Sequence, residues 1–136
     1  MTEISQKISG TGHVTKINYE VWFNEEKEVL CLKQFNPLTV EDVYQVQQTV
    51  QKMVKDKTRR LVLVDLTEGP ADMVGKEARR AFRETANPKD FDKIAVFGTS
   101  SATRMLAKII LAITGVSDIT QFFKTEHEAL AWLKEN

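Results

Sequence analysis

The run Leu61-Val62-Leu63-Val64 is short and continuously apolar, and a second such run, Ile94-Ala95-Val96-Phe97, follows after a stretch with helical spacing. A strand that is apolar on both sides must be covered on both faces, which is the position of a parallel strand inside an α/β sheet. Parallel neighbours need a crossover rather than a tight turn. Helices must therefore carry the chain back between them, and such crossovers are right-handed.

The rest of the chain fits that frame. Residues 1–15 are rich in Ser, Thr and Gly and read as a flexible N-terminal arm. Ile17, Tyr19, Val21 and Phe23 alternate with Asn18, Glu20 and Trp22, a period of two that predicts a half-buried strand. The polar turn Asn24-Glu25-Glu26-Lys27 leads into a second strand from Glu28 to Phe35, giving an edge hairpin. Thr39 then stands as an N-cap with Asp42 three residues on, and Val40, Val43, Val46, Val50 and Val54 recur at helical spacing, predicting a helix over 40–56. Further helices are expected near 74–86, 101–114 and 126–135, the last opened by a Thr125–Glu128 capping box, with a strand near Ile119–Phe123. The expected fold is α/β: an N-terminal β-hairpin followed by βα repeats, with a mixed, mostly parallel five-stranded sheet and four helices. No linker, repeat or low-complexity stretch divides residues 16–136, so they read as a single domain.

Composition narrows the functional classes. Nineteen Lys and Arg balance nineteen Asp and Glu, so the whole molecule exerts no attraction on nucleic acid, and no such partner is expected. The one cysteine, Cys31, lies in the apolar run Val29-Leu30-Cys31-Leu32 and reads as a core residue, with neither a disulfide nor a metal site around it. Met1–Gly12 lacks the apolar centre of a signal peptide, and no run reaches the roughly 18–20 apolar residues of a membrane span. A soluble cytoplasmic chain is expected, at most peripheral to a membrane.

Four stretches carry a family likeness: Leu61-Val62-Leu63-Val64-Asp65-Leu66-Thr67, Glu77-Ala78-Arg79-Arg80, Lys93-Ile94-Ala95-Val96-Phe97-Gly98, and the ending Phe122 to Leu133. In this order they resemble small bacterial STAS-like proteins, which group with the sporulation anti-sigma-factor antagonist (SpoIIAA-like) and with lipid-carrier-like domains of the CRAL-TRIO type. The resemblance spans roughly residues 16–135 and implies a STAS-like fold. Its motifs are structural and identify a fold better than a role. The antagonist branch implies a protein partner and a switch, a phosphorylated Ser or Thr between an Asp and a Gly at a helix start. The matching stretch here is Asp72-Met73-Val74-Gly75, which has no hydroxyl, so that switch does not carry over. The other branch implies lipid binding and membrane association, without a motif that assigns residues.

Two surfaces stand out. Around the helix near 74–86, Val74, Ala78, Ala81, Phe82 and Thr85 share one face, while Lys76, Arg79, Arg80 and Arg83 share the opposite one. Like charges four apart cost a helix a few tenths of a kcal/mol, so this set reads as a face for a phosphate, a lipid headgroup or an acidic partner, with Asp72 beside it. The plainer reading is a solvated face partly neutralised by Glu77 and Glu84. The helix 101–114 is apolar on most sides, with Met105, Leu106, Ile109, Ile110 and Ile113 as candidates for an apolar groove or interface. Arg104 and Lys108 form its polar stripe and are candidate headgroup contacts. Core packing with a homodimer contact is the plainer account.

The remaining candidates are weaker. Gly98-Thr99-Ser100-Ser101 precedes a helix and could hold an anion on backbone N–H groups, although a simple serine N-cap explains it equally. His13 and His127 lack an adjacent nucleophile. Asp65, Glu68 and Asp72 surround Gly69-Pro70, as turn acids do. No catalytic residue, metal ligand or cofactor site is assigned. The leading expectation is a non-enzymatic STAS-like regulatory module that binds a protein partner. The alternative is a small binding protein for a lipid or another anionic amphiphile. An open apolar pocket would separate the two, since only the second needs one.

Overall fold

The computed structural model describes residues 13–69 and 75–135, without the side chains of Leu106, Ile110 and Ile113. Among these residues the strands are β1 (Val14–Thr15), β2 (Tyr19–Asn24), β3 (Val29–Gln34), β4 (Leu61–Asp65), β5 (Lys93–Phe97) and β6 (Thr120–Phe123). The helices are α1 (Val40–Val54), α2 (Lys76–Thr85), α3 (Ser101–Thr114) and α4 (Glu126–Lys134), with 3₁₀ turns at Pro88–Asp90 and Ser117–Ile119. The strands lie in chain order in one sheet. β1, β2 and β3 pair antiparallel, and β3 to β6 pair parallel.

This is the α/β architecture expected, with one correction: the sheet has six strands rather than five. The sixth lies at the end of the presumed arm, where Val14 and Thr15 pair with Val21 and Glu20. Two residues are too few to show a period of two, so pairing with β2, and not any local pattern, makes this strand.

Sequential right-handed crossovers between β3 and β6 deliver α1, α2 and α3 to the same face of the sheet. There Val43, Val46, Val50 and Val54 of α1 meet Tyr19, Val21, Leu30 and Val62, with Ala78 and Ala81 of α2 alongside. Valine is a poor helix former by about 0.5 kcal/mol per residue, whereas burying its side chain returns roughly 1.5 kcal/mol or more. Tertiary burial therefore decides that 40–54 is helix. Its start is fixed by a reciprocal cap: Thr39 Oγ1 accepts from Asp42 N at 3.0 Å, and Asp42 Oδ2 accepts from Thr39 N at 2.9 Å. Asn18 Nδ2 also donates to Asp42 Oδ2 at 2.8 Å, which ties the cap to the start of β2.

Among the described residues, the other face is covered by a single helix, α4. Ala129 and Leu133 pack on Leu61, Leu63, Ala95 and Phe97, and Trp22 and Trp132 close the margins. Thr125 caps this helix by accepting from Glu128 N at 3.2 Å. Its C-terminal carbonyls are held by cations, as the helix dipole favours. Lys93 Nζ donates to Trp132 O at 2.8 Å and to Glu135 O at 2.9 Å, and Arg59 Nη2 donates to Leu133 O at 3.3 Å.

Among the described residues three backbone positions carry positive φ, Glu28, Gly98 and Gly115, and the first two do so for different reasons. Gly98 (φ 85°) crosses the end of β4 so closely that a Cβ there would lie 2.2 Å from Thr67 Cγ2. Glu28 (φ 57°) closes the β2–β3 turn without being glycine. A left-handed L-residue costs roughly 1–2 kcal/mol, and glycine gives back part of that through its freer unfolded chain. Glu28→Gly should therefore stabilise the domain by about 0.5–1 kcal/mol, read as a higher urea midpoint at unchanged slope.

Candidate functional site

The faces of α3 differ sharply. Thr103, Ala107, Leu111 and Thr114 recur at helical spacing and look inward, toward the sheet. Thr103 and Ala107 are short and do not fill the space between α3 and the strands below. What remains is an apolar cavity of about 200 Å³. Its floor includes Val62, Val64 and Val96, and Phe82 of α2 and Val50 of α1 contribute walls. Gln34, Gln47 and Asn87 are among its few polar neighbours. An engineered cavity of about 150 Å³ with such walls stays dry and takes benzene, so this one has room for an apolar group.

Met105 and Ile109 sit on the opposite side of α3 and face solvent, 69% and 48% exposed. Among the described side chains of this helix, Thr103, Ala107, Leu111 and Thr114 line the cavity, and Met105 and Ile109 belong to the outer surface. The side chains of Leu106, Ile110 and Ile113 lie outside the described residues. Arg104 and Lys108 flank the outer stripe, their charged ends 5.6 and 6.0 Å from the centre of the Phe122 ring on β6. Their stems cover the edge of the sheet, with Lys108 exposed and Arg104 half-buried. Arg104 Nε and Thr99 Oγ1 are buried without a hydrogen-bond partner among the described residues.

On α2, Lys76, Arg80 and Arg83 are exposed and Arg79 is half-buried. Ala78, Ala81 and Phe82 form the inner side of this helix. Phe82 and Ala86 line the cavity, and Arg79 and Arg83 are not among its lining residues. Asp72, with Met73 and Val74, lies outside the described residues. Because α2 packs beside α3, the two candidate surfaces are continuous.

Other candidates have local duties. Ser100 Oγ accepts from Thr103 N at 3.2 Å and caps α3. Asp65 Oδ1 accepts from Thr67 N at 2.9 Å and from Thr67 Oγ1 at 2.7 Å, closing the turn after β4. Lys33 Nζ lies 3.0 Å from Glu68 Oε2, and that hydrogen bond raises the lysine's pKa. Among the described residues no three His, Cys, Asp or Glu side chains are grouped to hold a metal. His127 is exposed. His13 stacks on Trp22 with ring centres 5.4 Å apart and contacts Glu20. That aromatic pair, and a polar recess near Glu28, Lys57 and Arg59 where Lys57 lies 4.2 Å above the Phe23 ring, were not singled out from sequence. Both arise from chain reversals that place residues distant in pattern side by side.

A family model described as SpoIIAA-like matches residues 29–134. The chain belongs to the SpoIIAA-like family. Its fold is similar to that of an uncharacterised protein with a SpoIIAA-like fold from Shewanella loihica PV-4. That match has 20% identity and a TM-score of 0.66, covering 93% of this chain and 99% of the other. It is also similar to an anti-sigma-factor antagonist (STAS) domain protein from Planctomyces limnophilus, at 17% identity and a TM-score of 0.60, covering 88% and 99% of the two chains. At these identities the likeness establishes the fold. No curated protein matches the sequence significantly. Within the SpoIIAA-like domain, no helix among the described residues is long and apolar enough to cross a membrane.

Cys31 in this SpoIIAA-like core is buried and free. Burial first, then the Glu126 and Asp65 carboxylates, pushes its thiol from 9.0 up to about 12. Tyr19 is pushed from 10.0 up to about 12, by burial and then by Asp42. Both groups hold their protons more tightly when folded, so their stabilisation is complete below the unfolded values and is lost as pH rises toward the folded ones. Urea midpoints should fall once pH exceeds about 9. In Cys31→Ala the onset should move to about 10, where Tyr19 begins to titrate in the unfolded chain.

Proposed function

We propose that this SpoIIAA-like chain is a non-catalytic binding module whose cavity receives the apolar part of a small amphiphile. The observation that carries this reading is the apolar cavity of about 200 Å³ beneath α2 and α3. A module that only docked a protein partner would have no use for such a space, and that contrast moves the amphiphile ahead of the partner-only reading. The cavity's size suits a single ring or a short acyl segment, smaller than the 300–1,000 Å³ pockets of drug-sized ligands. Apolar walls supply affinity without direction. Direction comes from Gln34 and Asn87 at the cavity and from the cations of α2, the helix that supplies Phe82, which favour an anionic head outside and an apolar tail inside.

Native mass spectrometry of protein purified without detergent, together with titration of a fluorescent fatty acid, tests this reading. Wild type should carry a mass excess or bind the probe. Ala107→Phe should fill the cavity, abolish binding and raise stability by about 0.5–2 kcal/mol, as cavity-filling changes commonly do. A wild-type protein that neither carries a ligand nor binds the probe would refute the proposal.

A protein partner is the second reading, favoured by membership of a family related to anti-sigma-factor antagonists and by the cationic face of α2. On that reading Arg79, Arg80 and Arg83 meet an acidic partner surface. Changing all three arginines to Glu should remove partner capture in a pull-down by at least tenfold while leaving the circular dichroism spectrum unaltered. Undiminished capture by that variant would dismiss the arginine face as the contact.

A further inference from the structure

A polar recess of about 300 Å³ opens where β4 begins, and it shares no lining residue with the apolar cavity. Phe23 and Leu61, both buried, supply its apolar side. Six charged residues from three segments line the rest: Glu25 and Glu28 of the β2–β3 turn, Asp56, Lys57 and Arg59 of the loop after α1, and Lys134 of α4. The signs balance, yet among the described residues no ion pair joins any two of these six. Neutral groups position the cations instead. Lys57 Nζ lies 4.2 Å from the centre of the Phe23 ring. Arg59 Nη2 donates to Leu133 O at 3.3 Å and to Glu135 O at 3.2 Å, and Lys134 Nζ donates to Lys27 O. These contacts use only part of each head group, since an ammonium has three donors and a guanidinium five. The carboxylates of Glu25, Glu28 and Asp56 are exposed acceptors, and Glu28 is set by the left-handed backbone of its turn, at φ 57°.

We propose that this recess binds a small zwitterion of the free α-amino acid class. Lys57, Arg59 and Lys134 receive its carboxylate, and Glu28 and Asp56 receive its ammonium. The mixed lining decides between ligand charges. A simple anion would face three carboxylates here and a simple cation three basic groups, whereas a molecule with both charges can set each against its opposite. Opposite charges that share a recess without pairing also keep their hydrogen-bonding capacity for a ligand, and charge-assisted bonds are the strong ones. The volume equals that of roughly ten water molecules, which suits a single amino acid and excludes a folded partner. A bound zwitterion would bridge the β2–β3 turn, the loop after α1 and the end of α4, so binding should raise the melting temperature. None of this depends on what the apolar cavity holds.

Saturation-transfer NMR with each of the standard free amino acids in turn tests the proposal. At least one should bind, and its titration should shift the backbone amide signals of residues 25–28 and 56–59. Two analogues of that amino acid serve as controls: the carboxylic acid without the amino group, and the amine without the carboxylate. Each should bind at least about tenfold more weakly, the worth of a hydrogen bond to a charged group. Glu28→Gln/Asp56→Asn should bind the amino acid no better than the amine-free analogue, and Lys57→Gln should weaken it at least about tenfold as well. Glu28 and Asp56 are exposed, so their double variant should keep the wild-type circular dichroism spectrum. Binding of none of the amino acids, equal binding of either analogue, or wild-type affinity in the double variant would overturn the proposal.

Discussion

Everything in this domain depends on a parallel sheet whose strands are apolar on both sides. Leu61 and Leu63 point to one face of β4, and Val62 and Val64 to the other, so neither face can be left to water. Right-handed crossovers then allocate the helices unevenly. Three fall on one face because β3 to β6 advance in one direction, and the helix after β6 covers the other. α4 is nine residues long and is the one helix among the described residues on that face. Its C-terminus is accordingly clamped by Lys93 and Arg59, and Trp22 and Trp132 extend its cover at the margins. On the opposite face there is helix to spare, and that surplus permits a cavity there.

The sheet and its helices were legible because their signals are local. The valine stripe of α1, the Thr39–Asp42 cap and the two continuous apolar runs each state their own conformation, and the structure agrees within about two residues at element ends, the usual scatter of such boundaries. β1 was not legible, because two residues have no period. The facing of α3 was not legible either, for a different reason. Apolar spacing along a helix identifies its inner face only by contrast with a polar outer one. In α3 that contrast is nearly absent, since the outer stripe carries Met105 and Ile109 while the inner one carries Thr103 and Ala107. Ranking positions by hydrophobicity selects Met105 and Ile109 with the other large residues as the wall of a groove, whereas the structure leaves these two on the outside and the side chains of Leu106, Ile110 and Ile113 lie outside the described residues. The cationic stripe of α2 could be read because Ala78, Ala81 and Phe82 define its inner face without ambiguity.

A neutral composition had removed electrostatics from consideration at the level of the whole molecule. The fold restores it locally. Salt screens charges over about 8 Å at physiological ionic strength, so a partner at one face responds to that face and not to the sum. Bringing α2 beside α3 joins two cationic stripes that are separate in sequence and leaves most of the balancing acids on other elements, such as Glu41 and Asp42 on α1 or Glu126 and Glu128 on α4. The sequence contains these charges, but only the topology collects them.

The cavity and the outer stripe are consequences of the same choice of side chains. Filling the space under α3 would take only larger residues at 103 and 107, a change available to any sequence that already carries Met and Ile on the same helix. An empty void of 200 Å³ would cost on the order of 5 kcal/mol at the rate measured for core truncations, and water against these walls forfeits much of the same burial. Domains of this kind have about 5–15 kcal/mol of stability in total, so a loss of that size is severe for the unliganded protein. Exposing Met105 and Ile109 wastes apolar burial a second time. An apolar ligand in the cavity removes the first of these penalties, by giving Thr103, Ala107 and Leu111 the contacts that an empty space denies them.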